Sequence, residues 1–259
     1  SVVAKALDLL SHVSAQSPEL GLSQLCRLAK RDKATTYRHL SALQATGFVE
    51  QNPVNKTYRI GPAVLHLAEL REVTVPRRAG AAGPLRHLAD QTGETAHVSV
   101  LSGTVLHALD HCESTRHSTR AVIDLQTLPL HATASGICVL AFGPAHLRDV
   151  ALSNLTAFTA NTPVTGQTLE AAIAAAQARG YGESASALES GIHSLAAPLF
   201  DGTGQVAGAV AVASVASRMT AEALGTTVQH LNQAARDITH NWGGQMPPMP
   251  QQKPTVMHG

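Results

Sequence analysis

Residues 31–61 read RDKATTYRHLSALQATGFVEQNPVNKTYRIG, and the start of the fold turns on this stretch. In its first half Thr36, Leu40 and Leu43 recur at helical spacing and form one stripe suited to a core. Ala34, Tyr37, Arg38 and Ser41 follow the i, i+3, i+4, i+7 pattern on the opposite face. That second face is polar and basic and carries no carboxylate. Gly47 is placed to end the helix in a left-handed conformation, where a residue without Cβ meets no penalty. FVEQ and TYRI then alternate like strands, and NPVNK between them supplies turn residues, so the pair reads as a hairpin.

Working back toward the N-terminus, Val3, Ala6, Leu7, Leu10 and Val13 fall on one helical stripe. SPELG breaks that helix, Ser23 is expected to cap a second one, and Leu25, Leu28 and Ala29 are expected to face inward. Three helices and a hairpin within about 60 residues outline a winged helix-turn-helix, with the second and third helices as the DNA-reading unit and the hairpin as the wing. A helix entering a major groove must meet phosphates without repulsion and offer hydrogen-bond donors to base edges. The polar face of the third helix meets both needs, although an ordinary amphipathic surface helix has the same periodicity. The wing and the charge distribution together favour the first reading. Residues 20–61 hold seven basic side chains and two acidic ones, a net of +5, which leaves −4 for the rest of a chain whose formal total is +1. A compact basic block on a slightly acidic body points to contact with a polyanion.

The chain has 259 residues, 44% of them apolar and 14% charged, which is a globular rather than a disordered composition. No apolar run is long enough for a membrane span, and the first residues lack the basic and cleavage regions of a secretory signal. Cys26, Cys112 and Cys138 are too scattered for a disulfide framework or a metal knuckle. The expectation is a cytoplasmic protein with no membrane partner, no cofactor and no metal.

Past the hairpin, AVLHLAELRE reads as a helix bridging two domains, and VTVPRRAGAAGP as an interruption at Pro76, Gly80, Gly83 and Pro84. PLRHLADQTG is helical. TAHVSVLSG and TVLHALDH form a hairpin around Ser102 and Gly103, and AVIDL is strand-like. HATASGICVLAF is a loop running into a buried helix. TLEAAIAAAQARG is a helix stopped by Gly180, two strands flank the turn 201–204, and a last helix ends near Trp242. The order implies an α+β fold whose C-terminal half is an antiparallel sheet flanked by helices. The expected division is a DNA-binding domain at 1–61, a linker helix at 62–76, a ligand-binding domain at 77–243 and a Pro-rich disordered tail at 244–259.

Five segments in order, TTYRHLSALQATGFVE with TYRIG, TGETAHVSVLSG, LPLHATASG, RGYG through LESGIHSLAAPLFD, and GAVAVASVASR, resemble the IclR family of bacterial transcriptional regulators. The resemblance covers the chain up to about Trp242. It implies a winged helix-turn-helix, a linker helix and a GAF/PAS-like domain that binds a small metabolite. It also implies a homodimer or dimer of dimers on pseudo-palindromic double-stranded operator DNA. By position, Lys33, Thr35, Tyr37, Arg38 and Ser41 would face DNA from the recognition helix, and Asn55 and Lys56 from the wing; Arg38 could instead pair inside the domain. The implied effector residues are Leu128, Ala134, Ser135, Gly136, Ser184, Ile192, Ser194, Ala211 and Ala213. Ala134 and Ser135 would offer backbone N–H groups to a carboxylate, as helix starts do. Arg120, unless it is only a surface charge, or His117 could reach the same carboxylate. Ile137 stands where the family carries Lys, ESASAL replaces an acidic cluster, and Ala211 and Ala213 replace hydroxyls. The pocket should therefore suit an effector with a larger apolar part, a small organic or aromatic acid from a catabolic operon.

Two rivals come from other classes. His131, Ser135 and Cys138 could serve nucleophilic chemistry, but no G-x-S-x-G elbow, P-loop or H-E-x-x-H is present. The C-terminal half could also serve only to oligomerise an adaptor. His107, His111, Cys112 and His117 could supply metal ligands, but His107 and His111 at i, i+4 would face together only on a helix, and the pattern reads as a strand running into a loop, which favours surface or hydrogen-bonded histidines.

Overall fold

The computed structural model describes residues 1–14, 16–122 and 126–247, and it divides into two compact units, Ser1–Val75 and Pro76 onward. In the first, α1 (Val2–Asp8) leads through a 3-10 turn to α2 (Leu22–Leu28) and α3 (Lys33–Ala45). The hairpin β1 (Val49–Gln51) and β2 (Tyr58–Ile60) follows, and then α4 (Ala63–Thr74). Asp32 caps α3 by accepting the Thr35 N–H at 2.8 Å. The helix buries Thr36, His39, Leu40 and Leu43 against Leu9, Leu20, Leu25, Val49 and Tyr58. Gly47, at φ +74°, closes it, and Phe48 N–H returns to the Leu43 carbonyl. Tyr58 exchanges two backbone hydrogen bonds with Leu20, which ties the hairpin to the segment before α2.

Three local expectations are corrected here. The first helix ends at Asp8 and tightens into the 3-10 turn Leu10–His12, so the 3.6-residue phase is not kept. Leu9 becomes the core residue at 1% exposure, and Val3 and Leu7 of the expected stripe are left exposed. Gly21, not Ser23, is the cap of α2, with Gln24 Oε1 accepting the Gly21 N–H at 2.8 Å. Leu28 faces outward; only Leu25 of its helix is fully buried.

The second unit is a five-stranded antiparallel sheet in the order β4-β3-β7-β6-β5, covered on both faces. Its elements are α5 (Arg77–Thr92), β3 (Thr95–Ser102), β4 (Val105–Cys112), α6 (Ala134–Phe142), α7 (His146–Leu152) and α8 (Gly166–Arg179). β5 (Gly182–Ala185), β6 (Ile192–Phe200), β7 (Val206–Val215) and α9 (Ala221–Asn241) complete it. Along β7, Val210 and Val212 pack with Leu85, Leu88, Leu231 and Ile238 of α5 and α9. Ala209 and Ala211 pack with Ile137, Leu169 and Ile173 of α6 and α8. Burial on both sides explains the unbroken apolar run VAGAVAVASV, since period-two alternation disappears when neither face meets water. Each fully buried Leu or Ile contributes about 1.5–3 kcal/mol.

Of the stretch expected to interrupt the chain, residues 77–84 are instead the first half of α5. Pro84 removes the N–H that would bond the carbonyl four residues earlier. That carbonyl belongs to Gly80, and Asn241 Nδ2 donates to it at 2.8 Å. Gly80 also lacks the Cβ that would press on the Trp242 ring. The helix continues because its missing partner arrives from the other end of the unit. β5 and α7 were not expected from sequence. Ala121 and Val122 of AVIDL lie in no regular element, and residues 123–125 lie outside the described residues, as do residues 248–259 of the tail.

Candidate nucleic-acid interface and effector cavity

In the N-terminal unit, Lys33, Ala34, Tyr37, Arg38 and Ser41 are all exposed on one side of α3, with Tyr37 at 55%. Thr35 is half-buried, its N–H held by Asp32. The seven cations of the basic block divide into two groups. Arg31 bonds Asp8 at 2.7 Å and the Lys5 carbonyl, so it holds α1 to the turn before α3. Arg59 pairs with Glu50 at 2.5 Å and Glu19 at 3.4 Å. Arg27, Lys30, Lys33, Arg38 and Lys56 form no ion pair among the described residues. Internal pairing of Arg38 is thereby removed as an explanation of its presence.

The wing is shaped by Glu19. Its Oε2 accepts from the Thr57 hydroxyl at 2.5 Å and lies within 3.5 Å of the amides of Asn52 and Asn55. Asn55 Oδ1 accepts the Thr57 N–H at 3.0 Å. Asn55 therefore builds the turn, and Lys56, at φ +60°, is the residue the turn projects. The Thr57 hydroxyl, then the Asn55 amide, hold the Glu19 carboxyl below its ordinary value of 4.5. A carboxylate with a depressed folded pKa contributes stability that is fully present above its unfolded pKa and is lost as pH falls through the folded one. Glu19→Gln is expected to flatten the acid limb of wing stability. Hydrogen exchange at the Lys56 and Thr57 amides below about pH 4.5 checks it; equal pH dependence in both proteins would remove Glu19 from that role.

In the second unit, a cavity of about 370 Å³ opens over the start of α6. Thr133 caps this helix, its Oγ1 accepting the Gly136 N–H at 2.9 Å, and Ile137 N–H bonds the Thr133 carbonyl. The N–H groups of Ala134 and Ser135 have no acceptor among the described residues, and both residues line the cavity. Ser184 lies opposite Ser194, and Ser194 opposite Ala213, so one row across β5, β6 and β7 delivers three lining residues. Leu128, Val122, Phe158, Leu188 and Ile192 supply apolar wall. No Lys or Arg lines it among the described residues. Burial, with a smaller push from His111, holds the imidazole of His97 down at about 4.

Of the expected effector residues, Leu128, Ala134, Ser135, Ser184, Ile192, Ser194 and Ala213 are brought together here. Three are not. Arg120 bonds Glu113 at 2.5 Å and does not line the cavity. Gly136 is buried in the first turn of α6, its Cα against the backbone of Leu130. Ala211 sits one row further along β7 and packs into the core beneath α6. His117 is likewise outside the lining. His131 Nε2 is taken by the backbone of Thr156, and burial pushes the Cys138 thiol up, so these two and Ser135 do not form a nucleophilic set. Ile137, where the family carries Lys, is a core residue at 2% exposure.

Sequence comparison decides the family. Residues 71–240 match the model of the bacterial transcriptional regulator IclR C-terminal domain, and residues 2–53 that of the IclR helix-turn-helix domain. The chain belongs to the IclR family. It is similar to an IclR transcriptional regulator structure from Silicibacter sp. TM1040, with 41% identity, TM-score 0.89, and coverage of 96% of this chain and 98% of that one. The HTH-type transcriptional regulator XynR of Escherichia coli K12 is 27% identical over 243 residues, 93% of this chain and 96% of the relative. An IclR homologue of Microbacterium hydrocarbonoxydans, crystallised with 4-hydroxybenzoate, shares the fold at TM-score 0.77 and 21% identity over 93% of this chain and 99% of that one. IclR members are DNA-binding regulators rather than enzymes, and neither the enzyme nor the adaptor reading is favoured. No helix among the described residues is long and apolar enough to cross a membrane.

Within this IclR chain, sequence reasoning missed His97, Ala121, Val122, Thr133, Phe158, Leu188 and Glu189. His97 left a signal: a polar residue on a strand that is buried on both faces must have a reason to be there. Thr133 was legible as a cap. Phe158 comes from an aperiodic loop and left none.

Proposed function

We propose that the protein is an acid-responsive regulator of a catabolic operon. It binds a pseudo-palindromic operator as a dimer or dimer of dimers, and a small organic or aromatic acid occupies the cavity over α6. The observation that carries the ligand class is the pair of N–H groups at Ala134 and Ser135, without an acceptor among the described residues, on two residues that line a mostly apolar cavity. A helix start favours an anion and the wall favours a hydrocarbon or ring. The homologue crystallised with 4-hydroxybenzoate supports the same class. On DNA, the exposed face of α3 would enter the major groove, Arg38 and Lys33 would meet phosphates or guanine edges, and Lys56 would meet the backbone beside it. Half-sites would lie about 34 Å apart or a multiple of that. The acid changes operator affinity only if it prefers one quaternary arrangement, which α4 would transmit.

The test is fluorescence anisotropy on promoter fragments of the source genome at several salt concentrations, with and without 4-hydroxybenzoate, benzoate, phenylacetate and pyruvate. Salt-sensitive binding altered by at least one acid is expected. Binding to no fragment under any of these conditions refutes the proposal. Ser135→Trp places an indole at the mouth of α6 and should abolish the response to every acid while leaving operator binding intact; an unchanged acid affinity by calorimetry would take Ser135 out of the site.

A further inference from the structure

Resting on that reading of the cavity, we infer that His97 is the group that receives the effector's carboxylate and sets the preference for acids over their uncharged analogues. Four observations converge on it. His97 lines the cavity yet is 5% exposed, so its exposed edge meets bound ligand rather than bulk water. Its Nε2 stands 3.4 Å from Ser135 Oγ, beside the open N–H groups that begin α6. Its Nδ1 is buried without a hydrogen-bond partner among the described residues. Arg120, the cation expected from sequence, is turned away to Glu113, which leaves no permanent positive charge among the described lining residues.

A carboxylate beside Ser135 therefore finds His97 as the one group among the described lining residues able to become a cation. The titratable groups placed around His97 are His111 opposite it on β4 and Glu189 in the cavity lining; its partner on β7 is Ala211, which does not titrate. Without ligand the imidazole is neutral, with its pKa at about 4. Charging it costs about a hundredfold at pH 6 and about a thousandfold at pH 7. Opposite charges about 4 Å apart at the effective dielectric of protein sites recover roughly a thousandfold. The two terms balance near pH 7, so below that pH the acid enters together with a proton taken from solvent, and the ligand and the imidazolium bind as a neutral pair. An amide analogue gains nothing from the proton. This is the basis of the discrimination.

The experiment is isothermal calorimetry on the full-length protein with 4-hydroxybenzoate, benzoate, phenylacetate and pyruvate, and with 4-hydroxybenzamide as the uncharged control. Titrations are run at about pH 6 and pH 8 in buffers of different ionisation enthalpy, which reports protons taken up on binding. Wild type should bind its preferred acid about tenfold more tightly at the lower pH, with close to one proton taken up there, and should bind the amide poorly at both. His97→Asn keeps a polar side chain that cannot charge. It should bind the same acid weakly, with no uptake and no pH slope, while its thermal midpoint and operator binding match wild type. Binding without uptake in wild type, or the same uptake and slope in His97→Asn, overturns the assignment of His97 alone. Failure of all four acids to bind wild type overturns the acid-sensor reading beneath it.

Discussion

Arg38→Ala is expected to remove sequence-specific operator binding while leaving oligomeric state and acid binding unchanged. The guanidinium is exposed on the free face of α3, forms no ion pair among the described residues, and shares that face with Lys33, Tyr37 and Ser41. A base-reading Arg contributes about 1–3 kcal/mol. A two-fold complex loses it twice, so affinity for the operator should fall between roughly thirtyfold and twenty-thousandfold, approaching non-specific binding. Truncating an exposed unpaired side chain should change stability by no more than about 0.5 kcal/mol, so circular dichroism and the thermal midpoint serve as internal controls. If Lys33 meets phosphate rather than a guanine edge, Lys33→Ala should by contrast weaken all DNA sequences about equally, because a phosphate contact carries no sequence information. Anisotropy on the operator and on a scrambled duplex distinguishes the two. An Arg38→Ala protein that keeps wild-type discrimination would mean that a different face reads the bases.

The second large effect is in the C-terminal unit. Gly136→Ala is expected to destabilise it by about 3 kcal/mol or more, above the usual range for a single extra methyl group. A Cβ at this position would overlap the backbone of Leu130, namely its Cα, carbonyl carbon and oxygen, and backbone cannot move aside as the end of a flexible side chain can. Leu130 lies in the segment that leads to Thr133, so the clash would also displace the cap that starts α6. A unit of this size loses about 2–4 °C per kcal/mol, giving a midpoint lower by about 10 °C in calorimetry, together with loss of acid binding. A midpoint within about 2 °C of wild type would show that the loop yields at little cost.

Gly136 illustrates how far the sequence could be read. Its place in HATASG marked it as a pocket residue, whereas its contact is with backbone on the far side of the helix start. The recognition helix and wing were legible because their signals are local: the stripe of Thr36, Leu40 and Leu43, the turn residues of NPVNK, and Gly47 past the last turn. So was the sheet flanked by helices, from the order of its strands and helices. What failed was long-range. Pro84 and two glycines read as a break because nothing nearby in sequence shows that Asn241 supplies the missing hydrogen bond. Arg120 looked available because its partner Glu113 lies in a loop with no periodicity. In the same way β5 was overlooked, since four residues containing Ser and Glu gain strand character only from their neighbour β6.

The bond from Asn241 to Gly80 has a consequence for how this architecture can be reused. With Trp242 Nε1 on the Arg77 carbonyl at 2.8 Å and the Arg77 guanidinium 5.0 Å from the indole ring, the point where the chain enters the second unit and the point where its last helix ends lie side by side. A unit whose two termini meet at one corner behaves as a cassette. It can be grafted onto another DNA-reading module through one short joint, or circularly permuted by opening the 201–204 turn and bridging that corner, without stretching any strand of the sheet.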